Sequence, residues 1–322
     1  MRPLISVLIP TQGRLPQLSR LLNGLACMED HEDIAHEIII ANNAQNEGLA
    51  TAVERMVQSY VTREPDRWLH VREPVPGKSR ALNRIVPLAR ADILAFLDDD
   101  VEVTPSWLRV TWRFFEDHCY DVKQGSILIP PAMQDDQRFL GLLQRYRTIC
   151  YYQIPGLEVR QIMNLNGANI ALRRELLDRT GLFDERIGPG ASGTSMDVEF
   201  AKRVLRVGGR IGYEPRSIVY HDIDWSRLTE SYFQLRHEMQ GRSRLIYKES
   251  TVASVLPNLL RAAVEFYFYS MVRNERKKYR AKGRVYHYRA MLKELARLTA
   301  RKPPVLPSAE LTSMPVVKRK PS

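Results

Sequence analysis

The sequence predicts an α/β fold: a mainly parallel sheet with helices on both faces, followed by a helical C-terminal extension. Two observations lead there. Through residue 100, short uninterrupted apolar runs alternate with segments of helical spacing, the pattern of parallel strands buried on both faces. From residue 226 to 302 the periodicity is helical, and the charge balance shifts with it.

In chain order, Ile5 to Ile9 is a buried-strand run stopped by Pro10 and a turn at Gly13. Pro16 to Ala26 is a helix, with Leu18, Leu21, Leu22 and Leu25 on one face. Strands follow at Glu37–Ala41, Trp68–Val71 and Ile93–Leu97, with helices at Leu49–Tyr60 and Lys78–Ala89 between them. The middle is less regular: a strand at Lys123–Ile129, a helix or lid at Asp135–Tyr151, then a turn, strand and helix start in NLNGANIALRRELL. Met196–Val207 is a helix stopped by Gly208-Gly209, and Arg210–Glu214 and Ser217–Tyr220 are two strands flanking Pro215. The expected organisation is an α/β domain over 1–225, a basic helical extension over 226–302, and a disordered proline-rich tail over 303–322.

Composition and charge narrow the class. The 322 residues are 44% hydrophobic and 26% charged, as in globular proteins. Three cysteines with no CxxC argue against a disulfide framework or zinc site, and the short apolar N-terminal run is no signal peptide, so a cytoplasmic location is expected. The formal charge of +11 is local: Arg273 to Lys302 holds twelve Lys and Arg against Glu275 and Glu294. No recognition motif accompanies that run, so nucleic acid is not an expected partner.

In open α/β sheets ligands bind beyond the carboxyl ends of the strands. The turn after Ile9, the Asn42-Asn43 loop and Asp98-Asp99-Asp100 all lie at such ends and should converge. If the aspartates are extended, Asp98 and Asp100 point to one side as an oxygen pair for a divalent cation, leaving Asp99 free to touch a sugar or ribose. A solvated acidic turn is the competing reading. His221 closes a strand, where it is either structural or a third metal ligand. Asp197 opens a helix, where it either complements the dipole or acts as a base.

The ordered set ISVLIPTQGR, EIIIANNAQNEG, PGKSRALNRIV, DILAFLDDDVEVTPSWL, NGANIALRRELLDRTGLFDERIG, SMDVEFAKRVLRVGGRIGYEP and IVYHD, from Pro3 to Trp225, resembles the family 2 glycosyltransferases of the GT-A fold. The resemblance implies an inverting, hexosyltransferase-type enzyme that moves a sugar from a nucleotide-diphosphate donor. It implies that Asp98 and Asp100 hold Mn²⁺ or Mg²⁺ with His221 nearby, and that Asp197 is the general base. It places Thr11, Arg14, Asn42, Lys78, Arg80, Asn83, Asp98 and Asp99 at the nucleotide sugar, and Asn166, Gly167 and Asn169 by the donor sugar and acceptor. Trp225 is a candidate stacking wall for the acceptor or simply core. Two departures stand out: Asn42 replaces a common aspartate, leaving UDP-, GDP- and dTDP-sugars open, and Met196 replaces the first acid of a Glu-Asp pair.

The extension has apolar residues at helical spacing (Leu256, Leu259, Leu260, Ala263, Tyr267, Met271) interrupted by Pro257, Arg261 and Glu265, which excludes a membrane span. It either packs on the α/β domain or joins the basic segment to bring the protein to the inner face of an anionic membrane. The expected acceptor is a glycan or lipid-linked sugar, as in surface or exported polysaccharide synthesis. A soluble small acceptor, or a non-catalytic nucleotide-sugar-binding scaffold, is the alternative.

Overall fold

The computed structural model describes residues 3–29, 32–150, 153–154 and 156–300. The tail expected from Pro303 lies outside these. Among the described residues, nine strands form one mixed sheet: β1 (Ile5–Thr11), β2 (His36–Asn42), β3 (Trp68–Arg72), β4 (Ile93–Leu97), β5 (Val101–Val103), β6 (Val122–Leu128), β7 (Arg160–Ile162), β8 (Asn169–Arg173) and β9 (Ile211–His221). The helices are α1 (Leu15–Ala26), α2 (Glu47–Arg63), α3 (Lys78–Ile85), α4 (Trp107–Asp117), α5 (Pro131–Gln134), α6 (Gln137–Cys150), α7 (Leu176–Thr180), α8 (Met196–Arg206), α9 (Glu230–Tyr247), α10 (Val252–Met271) and α11 (Glu275–Ala300).

The strand order is β3-β2-β1-β4-β8-β6-β9-β5, with β7 also on β9. The first four strands pair in parallel, as their crossover helices require. The sheet turns antiparallel where β8 joins β4, and parallel pairing returns between β6 and β9. Strand periodicity distributes the apolar side chains between two layers. Ile5, Val7 and Ile9 pack with α1, α2 and α4 on one face, while Leu8 and Ile39 pack with α3, α7 and α8 on the other. A third cluster, around Phe139, Tyr146 and Phe233, joins α6 to α9, and Tyr279 and Tyr286 of α11 pack on it.

Two expected strands prove to be one. The β6–β9 register runs from Gly125↔Glu214 straight to Ser126↔Ile218, so Pro215, Arg216 and Ser217 form a bulge within β9. A proline has no N–H for the ladder, and a bulge is where a sheet tolerates it. The expected helix over Lys78–Ala89 also stops early: Pro87 follows Ile85 by two residues and the chain tightens into a 3₁₀ turn over Val86–Leu88.

The bulge has a structural role. It turns Ser217 inward, where its Oγ accepts from Lys123 Nζ at 2.6 Å, beside Thr111 Oγ1 at 2.9 Å. Lys123 is fully buried in mid-sheet, with its ammonium over the Trp107 ring. Burial drives its pKa down to about 7, against the pull of Glu214. An unfolded lysine holds its proton to about 10.5, so this group's contribution to stability is lost as pH falls from about 10.5 to about 7. Lys123→Met, similar in volume but uncharged, is expected to remove up to about 1.4 kcal/mol per pH unit from the slope of stability against pH across that window. Urea midpoints measured across it for both proteins check this, and identical slopes would contradict it.

Candidate active site

The ends of β1, β2 and β4 open into a cavity of about 780 Å³. Its lining comes from Pro10 to Gln12 and Arg14, from Asn43, Lys78 and Asp98 to Asp100, and from Asn164 to Gly167. Parts of the Pro189–Val198 segment, His221, Arg227, and Tyr232, Arg236, Met239 and Gln240 complete it. The three strand ends therefore meet, as expected.

The aspartates occupy a turn between β4 and β5 rather than an extended segment, yet their side chains still separate. Asp98, Asp100 and His221 each offer one ligand atom, all within 4.8 Å of one another. Asp99 turns away and is not free for a ligand, contrary to expectation. Its Oδ2 accepts from Thr11 Oγ1 at 2.7 Å and Gln12 N at 3.3 Å, and its Oδ1 accepts from Arg14 at 3.2 Å. It thereby ties the end of β1 to the end of β4, and Thr11 and Arg14 are committed to that tie.

Two cations balance the cluster. Arg14 bridges Asp99 and Asp100, and Lys78, at the start of α3, pairs with Asp98. Burial raises Asp99 to about 6, the Asp100 and Asp98 charges add to the rise, and Arg14 and the Thr11 hydrogen bond only partly offset it. For Asp100 the burial penalty is outweighed by His221, Arg14, Arg227 and Lys78, which hold it below the ordinary aspartate value. Burial likewise opposes the charge on Lys78, but Asp98, Asp197 and Asp100 prevail and hold its pKa above the usual lysine value. One oxygen lacks a hydrogen bond: Asp100 Oδ1 is buried, lies 3.5 Å from His221 Nε2 and accepts none among the described residues. Two carboxylates and an imidazole around an orphan oxygen fit a divalent ion such as Mn²⁺ in donor chemistry.

Asp197 lies at the start of α8, with Oδ2 accepting from Gly167 N at 3.0 Å and Oδ1 from Val198 N at 2.9 Å. Lys78 and Asp197 flank Gly167. The segment leading into α8 is strained: Ser195 has φ 74°, unusual for a side-chain-bearing residue. It packs tightly as well. A Cβ on Gly190 (φ +83°) would lie 2.7 Å from Gly77 N, and Pro189 O accepts from Lys78 N at 2.9 Å. The segment thus holds α3 and α8, and with them Lys78 and Asp197, in fixed relation. Glu199 faces away, paired with Arg203, and Met196 is buried against the core.

Several expected site residues lie elsewhere. Asn42 is buried, its Nδ2 donating to Ala50 O at 2.8 Å and lying 3.2 Å from His70 Nε2, because its position in β2 directs it toward α2 and β3. Arg80 pairs with Glu185, and Asn83 donates to Phe183 O at 2.8 Å. Helical spacing turns both away from Lys78 and the cavity. Asn169 is wholly buried within the sheet, bonding Ser126 O, Ser217 O and Trp107 Nε1. Trp225 packs edge-on against Phe139 under Arg138 and does not line the cavity. Asn166 and Gly167 do line it.

Other lining residues escaped the sequence reading. Asn43, next to Asn42, clamps the following loop by donating to Glu73 O and Val75 O and accepting from Gly77 N at 3.0 Å. Its signal was the Asn-Asn doublet itself, read one residue early. Tyr232, Arg236, Met239 and Gln240 come from α9, where no motif marks them.

Fold and site together define a Rossmann-like α/β protein with an acidic ligand site beyond the ends of its parallel strands. The family model for glycosyl transferase family 2 matches residues 6–181, more than half of the chain, and the chain belongs to that family. It is 21% identical over 182 residues to the glucosyl-dolichyl phosphate glucuronosyltransferase of Haloferax volcanii, covering 55% of this chain and 58% of that protein. To the pre-mycofactocin glycosyltransferase of Mycobacterium tuberculosis it is 25% identical over 146 residues, 45% of this chain and 30% of the other. Both matches span less than two thirds of the relative. Among solved structures, a mannosyltransferase from Pyrobaculum calidifontis in complex with GDP-Man and Mn²⁺ superposes with a TM-score of 0.55 at 18% identity, over 94% of this chain and 77% of that one. S. aureus TarS 1–349 with UDP-GlcNAc gives 0.51 at 15%, over 92% of each. At these identities the likeness is one of fold.

The Gly190 contact is testable against a control. Gly190 and Gly208 both have positive φ, but a Cβ on Gly208 would meet nothing within 4 Å. Gly208→Ala is expected to cost about 1–2 kcal/mol from backbone strain alone. Gly190→Ala should cost about 1–3 kcal/mol more, as its Cβ must displace the Gly77 backbone. Equal denaturant midpoints for the two variants would remove the packing argument.

Proposed function

We propose that the chain transfers a sugar from a nucleoside-diphosphate sugar to a hydroxyl of a glycan or lipid-linked acceptor, with inversion and with Mn²⁺ or Mg²⁺ as cofactor. The observation that carries this is the meeting of Asp98, Asp100 and His221 with Asp197 in a single cavity. The nucleotide sugars and Mn²⁺ named with the structural neighbours support it.

In this reading Asp98, Asp100 and His221 hold the cation, which when bound supplies Lewis acidity to the departing diphosphate. Arg14 and Lys78 stand beside the same carboxylates and place positive charge where the leaving group gains negative charge. Asp197, oriented by the Gly167 and Val198 N–H groups, takes the proton of the acceptor hydroxyl. The acceptor oxygen bonds to the anomeric carbon from the face opposite the leaving group as the bond to the diphosphate breaks. A single displacement inverts that centre.

Asp197→Asn keeps the shape but removes the base, and its single amide oxygen can accept from only one of the Gly167 and Val198 N–H groups. We expect it to bind donor normally, read as a ligand-induced thermal shift, and to lose transfer by about 10²–10⁴-fold. Near-normal turnover would end its assignment as base. Asp100→Ala should abolish the metal-dependent part of that shift across UDP-, GDP- and dTDP-sugars with Mn²⁺, Mg²⁺ or chelator. Wild-type protein at 100 times its dissociation constant should gain about 2.7 kcal/mol. No shift with any donor would favour a non-catalytic role, and a shift insensitive to chelator would remove the metal.

A further inference from the structure

Helix α10 has two apolar faces, and only one is covered. Val255 and Ala262 are buried on the side that packs against α11, with Leu259, Phe266 and Tyr269 half-buried around them. Around the other side, Val252, Leu256, Leu260, Val264, Tyr267 and Met271 recur at helical spacing and are 42–70% exposed. Phe268 flanks them and is 55% exposed. Of the stripe read from the sequence, Leu259 is half-buried, and Leu256, Leu260, Ala263, Tyr267 and Met271 are exposed rather than packed on the α/β domain. No charged side chain interrupts the exposed face. The two charges of α10, Arg261 and Glu265, pair with each other at its border, and Glu265 also holds Arg284 of α11. A face of this kind along about 30 Å of helix exceeds the scattered apolar residues of an ordinary surface.

We infer that this face of α10 docks in the plane of an anionic phospholipid membrane. Charge decides between the occupants. Arg273, Arg276, Lys277 and Arg280 are exposed at the turn into α11 and its first turns, within a segment of twelve Lys and Arg against two Glu. Lys277 reaches back over the Tyr269 ring at 5.3 Å, on the side of α10 that packs against α11, while Arg273 stands directly past the helix end. A second copy of the chain would bring two such segments together, whereas an anionic headgroup layer attracts them. Among the described residues no helix is long and apolar enough to cross a membrane, so α10 lies along the interface, its apolar side chains inserted below the headgroups. The helices stack in sequence: α9 supplies a wall of the cavity, α11 packs on α9, and α10 on α11. The inference stands apart from the transfer chemistry.

The test is co-sedimentation of the full chain with vesicles of phosphatidylcholine, with and without phosphatidylglycerol. Wild-type protein should bind the phosphatidylglycerol vesicles selectively and less tightly as salt rises. Leu260→Glu/Val264→Glu, on exposed positions, should weaken binding by about tenfold or more while leaving the melting temperature and any donor-induced shift unchanged. If it fails to fold, Tyr267→Ser/Met271→Ser near the helix end gives the same readout. Arg273→Glu/Arg276→Glu/Lys277→Glu should remove the preference for phosphatidylglycerol. Absence of wild-type binding, or equal binding by the apolar-face variants, overturns the inference. So does a dimer in light scattering that those variants dissolve.

Discussion

Charge compensation at the end of β4 is the constraint around which the site is arranged. Three consecutive carboxylates, two of them buried, are stable only with cations in contact: at 4 Å two like charges repel by roughly 4 kcal/mol at an effective dielectric of 20. Arg14 and Lys78 supply that charge from the starts of α1 and α3. Because each side chain arrives from a different crossover, balancing the aspartates also fixes where the first and third strand-to-helix turns sit. Asp99 converts the arrangement into a structural lock by binding Thr11 and Gln12. The hydrogen bonding stops one atom short, at Asp100 Oδ1, which faces His221 Nε2 at 3.5 Å.

A second buried polar network holds the other half of the sheet. Asn169, Lys123, Thr111 and Ser217 link β8, β6, α4 and β9 through hydrogen bonds no solvent reaches. The β9 bulge feeds it: Ser217, within the bulge, accepts from Lys123 through its hydroxyl and from Asn169 through its carbonyl. Beyond the bulge β9 resumes its ladder and ends at His221, opposite Val101 of β5. The histidine meets the aspartates because β5 leaves the acidic turn antiparallel to β9, so the two chain segments deliver their ends to one place.

The C-terminal helices face two ways. Gly241 and Gly283 let α9 and α11 approach closely, since a Cβ on Gly241 would lie 2.3 Å from His287 O and one on Gly283 2.4 Å from His237 Nε2. That contact seats α9 so that Tyr232, Arg236, Met239 and Gln240 complete the cavity. Helix α10 has no such inward duty and carries the exposed apolar face outward. The cavity is thus shared between the sheet and a helix that follows the residue-225 boundary expected from the sequence.

The parallel character of β1 to β4, the helices over them and the meeting of three strand ends were determined by sequence alone, because uninterrupted apolar runs and helical spacing are local properties. The positions of Asp98, Asp100, Asp197 and His221 at element ends were readable as well, since their own neighbours define those ends, and the structure brings all four to one cavity. What needed the tertiary structure was direction. Asn42 and Asn43 are identical in kind, and only the position of α2 and β3 decides which one turns into the cavity. Arg80, Asn83 and Asn169 belong to the recognised segments, yet helical phase and the β6–β9 bulge send them into packing contacts. Tyr232 and Arg236 lie on a helix whose sequence resembles any amphipathic surface. They reach the cavity where α9 packs between it and α11, a contact made close by Gly241 and Gly283, and long-range packing of that kind leaves no trace in local pattern.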